Sequence, residues 1–369
     1  MKPLYSYMVN QTNIPGEFDI IKTEKGFTMK GWDFTRADLA EAVKADRMLN
    51  PTFELASNVC PWDCDFCFTE DPSNPKGLKK RLNLEMSLEE RLKLINDAND
   101  LGVRSINIVG AGEPTIDPNF WQLMEHISNK AITPIVYTEG TLRLTDEEFT
   151  KRLYSIGATI VLKVNSLENS EYQNAVVNSG ERRTHPLKID YFQKRNEALQ
   201  ILLDLGFNKH DPTRLAFDTI ICRENYDEVL KLHRYTRDNN IFVLAVGYLP
   251  TGRSSNLDKI QGAISPKELL ERYQRMAEID ENEYGIKHGV GYPYGGGVPC
   301  SIRGRGLHVK IQGDVMLCPG EFVPIGNLKT ESLKDIWYRT KEERIKHNWG
   351  CPPRIVDWKQ RGYDTSELK

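Results

Sequence analysis

Short apolar segments alternate with longer amphipathic ones from about residue 51 onward. Apolar runs of strand length are separated by stretches in which apolar residues recur at helical spacing. Such continuous runs are typical of parallel strands that are covered on both faces. The pattern predicts six βα units, with strands at FELASNV (53–59), SINIVG (105–110), TPIVYT (133–138), TIVLKVN (159–165), RLAFDTIIC (214–222) and IFVLAVGYL (241–249).

Capping residues mark the ends of the intervening helices. Ser87 and Glu90 have the spacing of a capping box, and Gly102 follows the same helix. Asp117 and Pro118 have the residue types of a helix cap and a first helical position. The predicted helices cover residues 87–102, 117–130, 145–157, 190–206, 225–239 and 265–279.

Six units are fewer than the eight that close a barrel, so the pattern predicts an α/β fold with a partial, open (βα)6 barrel. Functional residues of such folds lie in the loops after the strands. A Gly- and Pro-rich stretch at 289–299 marks a boundary. A hairpin turning at Gln312–Asp314 and a helix over 332–347 then predict a small α+β domain. The expected units are an irregular or lightly structured lead-in (1–50), the barrel core (51–255), a linker helix (256–290) and the C-terminal domain (291–369).

Composition and charge are those of an ordinary soluble protein. The chain is 39% hydrophobic and 27% charged, with a net charge of -3, which gives no electrostatic case for a nucleic-acid partner. The N-terminus lacks an apolar signal core, and no apolar run is long enough to span a bilayer. We therefore expect a cytoplasmic protein without a membrane partner, in which clustered cysteines favour metal binding or catalysis over disulfides.

Three of the seven cysteines crowd into eight positions after the first predicted strand: Cys60, Cys64 and Cys67. A structural zinc site takes four closed ligands, and three thiols cannot all form disulfides. Three thiolates suit a metal centre that keeps one position open, such as a [4Fe–4S] cluster. The competing interpretation, three unrelated buried cysteines, is disfavoured by their crowding in one loop at a strand end.

The sequence GAGEPT, residues 110–115, ends the second predicted strand. Its glycines permit a close approach of backbone to a ligand. A dinucleotide-binding fingerprint needs a third glycine that leads into a helix. Glu113 and Pro114 stand there instead, and that interpretation fails.

Together, the C-x3-C-x-aromatic-C loop and the Gly-Ala-Gly-Glu-Pro turn resemble the radical S-adenosylmethionine (SAM) superfamily over about residues 51–255. Ala111 departs from that family's turn. The resemblance implies a [4Fe–4S] cluster on Cys60, Cys64 and Cys67, whose open iron chelates SAM. It also implies an electron donor such as flavodoxin or ferredoxin, and a 5'-deoxyadenosyl radical that takes hydrogen from a substrate. The implied SAM contacts are Phe66 (adenine), Gly110, Ala111, Gly112 and Glu113 (amino group), Lys163 (carboxylate) and Ser166 (ribose).

The remaining clustered cysteines, Cys300, Cys318 and Cys351, flank the predicted hairpin and the helix after it. This arrangement resembles the twitch domain, a shortened SPASM auxiliary-cluster domain. Arg354 stands where that pattern places a last cysteine. The resemblance implies a second, auxiliary [4Fe–4S] cluster with three cysteine ligands and either an open iron or a non-cysteine ligand. A domain that keeps its fold without a cluster is the alternative.

The substrate side is less defined by the sequence. The candidates at strand ends are Glu139, Cys222, Arg223 and Arg253. A solvated loop position is about as ordinary for Glu139, a surface position is the commoner one for the two arginines, and a core position is favoured for Cys222. The short lead-in favours a small polar substrate over a peptide. The resemblance favours net oxidation, with the auxiliary cluster as electron acceptor or substrate ligand. The alternatives are epimerisation, elimination, carbon–carbon coupling, maturation of a ribosomal peptide and, in another class, a non-catalytic iron–sulfur electron carrier.

The two cysteine triplets predict two clusters, or about eight irons per chain. Changing Cys60, Cys64 and Cys67 together to Ala should leave about half of that iron, still as [4Fe–4S], when iron and absorbance are measured after anaerobic reconstitution. A variant without any iron would show that the C-terminal triplet is not a cluster site.

Overall fold

A computed structural model describes residues 28–34, 36–57, 59–64, 66–69, 84–177, 189–249, 251–252, 262–286, 302–321, 323–346, 359 and 362. Arg253, Cys300, Cys351 and Arg354 lie outside these residues. The strands are β1 (Thr52–Ala56), β2 (Ser105–Gly110), β3 (Thr133–Thr138), β4 (Thr159–Lys163), β5 (Leu215–Ile220), β6 (Phe242–Val246), β7 (His308–Val309), β8 (Asp314–Met316) and β9 (Gly326–Asn327).

The α-helices are α1 (Arg36–Lys44), α2 (Leu88–Asp100), α3 (Phe120–Ser128), α4 (Glu147–Ser155), α5 (Ser170–Val176), α6 (Tyr191–Asp204), α7 (Glu228–Asp238), α8 (Pro266–Tyr284), α9 (Ile302–Arg305), α10 (Leu333–Arg339) and α11 (Lys341–Lys346). None of these described helices has the length and apolar character that a bilayer crossing needs.

The first six strands pair in chain order and in parallel, which confirms the predicted βα units. Among the described strands β6 does not return to β1, so the sheet is the open, partial barrel that the sequence predicts. Strand β7 pairs in parallel with β1 instead, and β8 and β9 follow in antiparallel order. The predicted C-terminal hairpin therefore extends the main sheet at its β1 edge.

Several predicted boundaries were wrong. Strand β1 ends at Ala56, three residues earlier than predicted, and the predicted helix over 332–347 is two shorter helices. The helix predicted from Asp117 begins only at Phe120. Its supposed cap, Asp117, accepts hydrogen bonds from Ser57 and Arg91 in neighbouring segments instead. Helix α5 was not predicted, because it is only seven residues long.

The two faces of the six-stranded sheet differ in what covers them. Side chains such as Phe53 and Phe217 pack with the helices in the main hydrophobic core. The opposite face, called the concave face below, carries a smaller apolar cluster that includes Val161 and Phe242. Because side chains alternate along a strand, Glu54 of β1 and Asp218 of β5 face the concave side.

Residues 28–34 of the lead-in cover the end of the concave face where the strands begin. The Trp32 Nε1 donates to Asn107 Oδ1 at 2.9 Å, and Ser105 Oγ donates to the Gly31 carbonyl at 2.5 Å. Met29 forms an isolated bridge with Thr213. This segment closes the floor of the concave face, so the open end lies where the strands finish.

A buried ion pair fixes the exit of β1. Arg91 Nη1 of α2 donates to the Leu55 carbonyl at 2.7 Å and lies 3.2 Å from Asp117 Oδ2. The two side chains are 7% and 2% exposed. Asp117 in turn accepts from the Ser57 N–H at 2.9 Å. One carboxylate thus joins α2, the start of the cysteine loop and the segment after β2.

Arg91→Met leaves Asp117 as an unpaired buried charge, and we expect a loss of about 3–5 kcal/mol in the free energy of unfolding. Denaturant titration measures the free energy of unfolding of the wild type and the variant. The matched control is Lys93→Met in the same helix, whose ion pair with Asp97 is exposed and should contribute little. Equal losses in the two variants would contradict this account.

Candidate functional site

The cysteine loop, residues 57–69, begins where β1 ends. Its described part contains all three predicted cluster ligands as free thiols. The Cys67 N–H donates to the Cys64 carbonyl at 3.4 Å, so the chain turns between these two residues. Within the described segments no three His, Cys, Asp or Glu side chains are already gathered around one metal position. Ligation by Cys60, Cys64 and Cys67 stays a prediction.

The glycine turn, residues 110–113, lies directly against this loop. A Cβ on Gly112 would stand 2.2 Å from the Val59 carbonyl oxygen. The Glu113 N–H donates to that same oxygen at 2.8 Å, and the Ala111 N–H donates to the Ala56 carbonyl at 3.1 Å. The glycine is required here because it allows two backbones to touch. The sequence motif therefore holds the loop in place, and the predicted SAM contacts of the turn stay predictions.

A second glycine, in the segment after β6, also contacts the cysteine loop. Gly252, just after β6, has a φ of +61°, and a Cβ on it would stand 2.2 Å from the Cys67 carbonyl oxygen. The loop is thus held between the segments that follow β2 and β6. This close backbone cradle, with three free thiols and no fourth, fits a cluster that keeps one iron open.

Glu113 is buried and fully hydrogen-bonded. Its carboxylate accepts from the Thr115 N–H (3.0 Å) and hydroxyl (2.7 Å), the Thr138 hydroxyl (2.6 Å) and the Glu139 N–H (3.0 Å). Burial raises the pKa of the Glu113 carboxyl despite these bonds. The side chain ties the loop after β2 to the loop after β3.

Glu139, a predicted substrate contact, also binds protein groups. Its carboxylate accepts from the Trp62 indole N–H at 2.8 Å, from the Thr141 N–H at 2.9 Å and from the Thr141 hydroxyl. Burial, with Glu113 nearby, raises the pKa of Glu139 to about 7. Trp62 lies in the cysteine loop and packs edge-on to Tyr191 at 4.9 Å. Glu139 therefore connects the cysteine loop to the third strand end.

The carboxylates of Glu113 and Glu139 also affect the pKa of Cys60. Part of the Cys60 surface is exposed to solvent, although many protein atoms lie close to its thiol. The resulting desolvation, followed by the charge of Glu113, raises the pKa of the Cys60 thiol above its usual range. A bound metal centre reverses this preference, because its positive charge stabilises thiolates.

Lys163, the predicted contact for the SAM carboxylate, lies at the end of β4 on the concave face. Its Nζ pairs with Asp218 Oδ2 at 2.9 Å and lies 4.4 Å from the centre of the Phe66 ring. The Lys163 and Asp218 side chains are 12% and 27% exposed. The structure thus brings two predicted SAM contacts together. Asp218 was not among the predicted site residues, although its carboxylate interrupts the otherwise apolar strand LAFDTI and could have marked it as one.

Ser166, the predicted ribose contact, is buried in the loop after β4. Its hydroxyl donates to Glu228 Oε1 at 2.7 Å and accepts from the Asn169 N–H at 2.8 Å. Both capacities of the hydroxyl are therefore used within the protein, and the ribose contact stays a prediction.

Two further candidates, Cys222 and Arg223, follow the fifth strand. Cys222 is buried, with its Sγ 2.9 Å from the Tyr172 hydroxyl, and desolvation raises its pKa to about 12. Arg223 is paired at the surface with Glu268 of α8. Neither position supplies a specific substrate contact in the described residues.

The auxiliary-cluster region adjoins the cysteine loop. Cys318 is buried just after β8. The Thr251 hydroxyl donates to the neighbouring Pro319 carbonyl at 3.5 Å, and Thr251 precedes the Gly252 that supports Cys67. The Phe68 ring lies 6.4 Å from the His308 ring of β7. The loops that hold Cys67 and Cys318 are therefore linked through residues 251–252.

Known families match both parts of the chain. Residues 55–264 match the radical SAM superfamily, and residues 300–354 match SPASM, an iron–sulfur cluster-binding domain. The chain is 25% identical over 309 residues, covering 75% of it and 78% of the relative, to a tungsten-containing aldehyde ferredoxin oxidoreductase cofactor-modifying protein of Pyrococcus furiosus. A GTP 3',8-cyclase of Desulforamulus reducens is 38% identical over 100 residues, covering 26% of this chain and 29% of the cyclase.

A solved structure shares the fold. Native anSMEcpe with bound AdoMet and Cp18Cys peptide aligns with a TM-score of 0.57 and 18% identity, covering 87% of each chain. The two family matches imply the cofactors: a [4Fe–4S] cluster with SAM, and an auxiliary iron–sulfur cluster in the C-terminal part.

Gly112→Ala places a Cβ against the Val59 backbone, so we expect the cysteine loop to shift and the iron content after reconstitution to fall by about half. The control is Gly157→Ala, which has no atom within 4 Å of its added Cβ although its φ is +78°. It should lose about 1 kcal/mol of stability and retain its iron. Normal iron in the Gly112 variant would show that the contact is dispensable.

Proposed function

The chain belongs to the radical SAM superfamily, and we propose that it oxidises a small polar substrate that is bound on the concave face of its sheet. The observation that carries the proposal is a three-cysteine loop, held by Gly112 and Gly252, at the open end of a face with ionisable side chains. When bound, the first cluster and SAM supply a 5'-deoxyadenosyl radical that takes hydrogen, and the auxiliary cluster supplies an electron acceptor.

The role of Lys163 and Phe66 is to bind and orient SAM. The Lys163 ammonium is fixed by Asp218 and by the Phe66 ring, which keeps it at the open end of the concave face. A SAM carboxylate competes with Asp218 for that ammonium, and the Phe66 ring offers an apolar surface to adenine. SAM binding then leaves the Asp218 carboxylate with a weakened ion pair.

Asp218 is the proposed proton acceptor. A two-electron oxidation removes from the substrate one hydrogen atom, one electron and one proton. The Asp218 side chain faces the concave side and is 27% exposed, which is enough for contact with a bound molecule. Its partner Lys163 turns toward SAM in the proposed complex, so the carboxylate is available when the proton leaves.

A small polar substrate is supported by the buried polar groups of this face and by two relatives whose names concern a cofactor and GTP. A peptide is the other outcome, because a solved structure of the same fold contains one. An electron carrier would need neither the Lys163–Phe66 pair nor a polar concave face.

We expect the reconstituted chain, given dithionite and SAM under anaerobic conditions, to form 5'-deoxyadenosine. The rate should rise when the low-molecular-mass fraction of a cell extract is added, and it should rise equally when that fraction has first been digested with protease. Stimulation that protease abolishes would identify a peptide substrate. No 5'-deoxyadenosine above background, with the cluster spectroscopically present, would refute the proposed function.

Lys163→Ala should weaken SAM binding by roughly 10- to 100-fold, since it removes one charge-assisted hydrogen bond. Iron content should stay at the wild-type value. Equilibrium dialysis with labelled SAM measures the change, and Lys231→Ala, at an exposed ion pair with Glu168, is the control. Unchanged SAM affinity in the Lys163 variant would assign that lysine to structure alone.

A further inference from the structure

The concave face contains a buried cation, Arg305, that has no acidic partner among the described residues. We propose that Arg305 binds an anionic group of the substrate, a carboxylate or a phosphate, at the closed end of this face. The inference rests on the proposed function, because it assigns the chemical class of the molecule that the same site binds.

The backbone fixes the position of Arg305. Its carbonyl accepts from the Leu49 N–H at 2.8 Å and from the Asn50 N–H at 3.0 Å, so it lies where β1 begins. The following Gly306 has no room for a side chain, since a Cβ would stand 2.5 Å from the Asn50 carbonyl oxygen. Residue 305 is therefore held at the floor of the sheet, opposite the end where the cysteine loop lies.

The side chain of Arg305 turns to the concave side. Its Cζ lies 4.8 Å from the centre of the Trp32 ring, which belongs to the apolar cluster of that face. Burial and Asp218 raise the pKa of the Tyr137 hydroxyl, and the charge of Arg305 opposes that rise. Arg305 thus lies near Trp32 and Tyr137, on the same side of the sheet as Asp218.

Two guanidinium nitrogens of Arg305 have no hydrogen-bond acceptor. The residue is 2% exposed, and within the described part of the chain neither Nε nor Nη1 has an acceptor. Two other buried arginines have acidic partners: Arg91 has Asp117, and Arg344 has Asp46. Burying an unmatched charge is costly, so its presence on the concave side indicates a group that arrives with the ligand.

The acids of the concave face have contacts of their own. Asp218 pairs with Lys163. Glu54 Oε2 accepts from the Ile311 N–H at 3.0 Å, and Glu54 Oε1 lies 3.3 Å from His308 Nε2 without a hydrogen bond. His308 is 1% exposed and its Nδ1 also has no partner. A guanidinium group has hydrogen-bond donors only, so the missing partner of Arg305 must be an acceptor. The positive charge of the guanidinium favours an anion over a neutral carbonyl.

The proposal also fixes the orientation of the substrate along the concave face. The anionic end contacts Arg305 at the floor, and the reacting carbon points toward the open end where SAM binds. Tyr137 and the Lys163–Asp218 pair lie on the face between these ends.

Thermal unfolding of the reconstituted holoenzyme tests the proposal with two probes, inorganic phosphate and succinate, each against sodium chloride at matched ionic strength. We expect at least one probe to raise the Tm of the wild type. Arg305→Met should weaken the binding of that probe by at least about 10-fold, because the variant lacks a charge-assisted hydrogen bond to the anion. Arg234→Met, at a surface pair with Glu283, should respond as the wild type does.

The possible outcomes identify the anionic group or overturn the role of Arg305. A response to phosphate alone indicates a phosphorylated substrate, and a response to succinate alone indicates a carboxylate. No response in the wild type, or an equal response in Arg305→Met, overturns the proposal. If Arg305→Met does not fold, Arg305→Lys replaces it and should show a weaker response than the wild type, while an undiminished one overturns the proposal.

Formation of 5'-deoxyadenosine by the wild type separates the two hypotheses. A chain that cleaves SAM and binds neither anion refutes only the role of Arg305. A chain that binds an anion through Arg305 and does not cleave SAM refutes only the proposed function.

Discussion

The contact between Val59 and the Gly112–Glu113 backbone determines where the chemistry can occur. It exists only because residue 112 has no side chain, and it places the cysteine loop over the end of β2. Glu113 extends this support to the third strand end through two hydrogen bonds, from the Thr138 hydroxyl and the Glu139 N–H. The hydrogen bond from Trp62 to Glu139 connects that strand end back to the cysteine loop. The loop is therefore positioned by its contacts with the sheet.

This arrangement has an electrostatic consequence. Two buried carboxylates lie close to the cysteines and oppose thiolate formation, which the positive charge of a metal centre offsets. On the concave face the charges are separated in space. A pair that SAM can rearrange, Lys163 and Asp218, lies near the open end, and an unmatched cation, Arg305, lies at the floor. The open end and the floor thus suit two different anionic groups.

The sequence predicted the elements that depend on local pattern. Apolar runs marked the first six strands, β1 to β6, and the capping boxes at Ser87 and Ser265 are present. The radical SAM and SPASM resemblances are confirmed by the family matches. Boundaries failed where distant residues compete, as at Asp117, whose carboxylate binds Ser57 and Arg91 and caps no α-helix.

Other features depend on tertiary packing alone. The pairing of Lys163 with Asp218 follows from the register of β4 and β5, which no local pattern contains. The hairpin that contains β7 was predicted, but the pairing of β7 with β1 follows from packing that no local pattern contains. Arg305 stands in the run IRGRG, which has no local pattern that marks a buried arginine. The hydrogen bonds of its carbonyl and the packing of Gly306 on Asn50 fix its position.

Electron paramagnetic resonance of the reduced N-terminal cluster tests the central claim most directly, namely that the cysteine loop holds a cluster whose open iron binds SAM. Cys318→Ala removes a predicted auxiliary ligand, so that the remaining signal belongs to the cysteine loop. The account predicts that saturating SAM changes this spectrum. A spectrum of the intact cluster that is identical with and without SAM would contradict it.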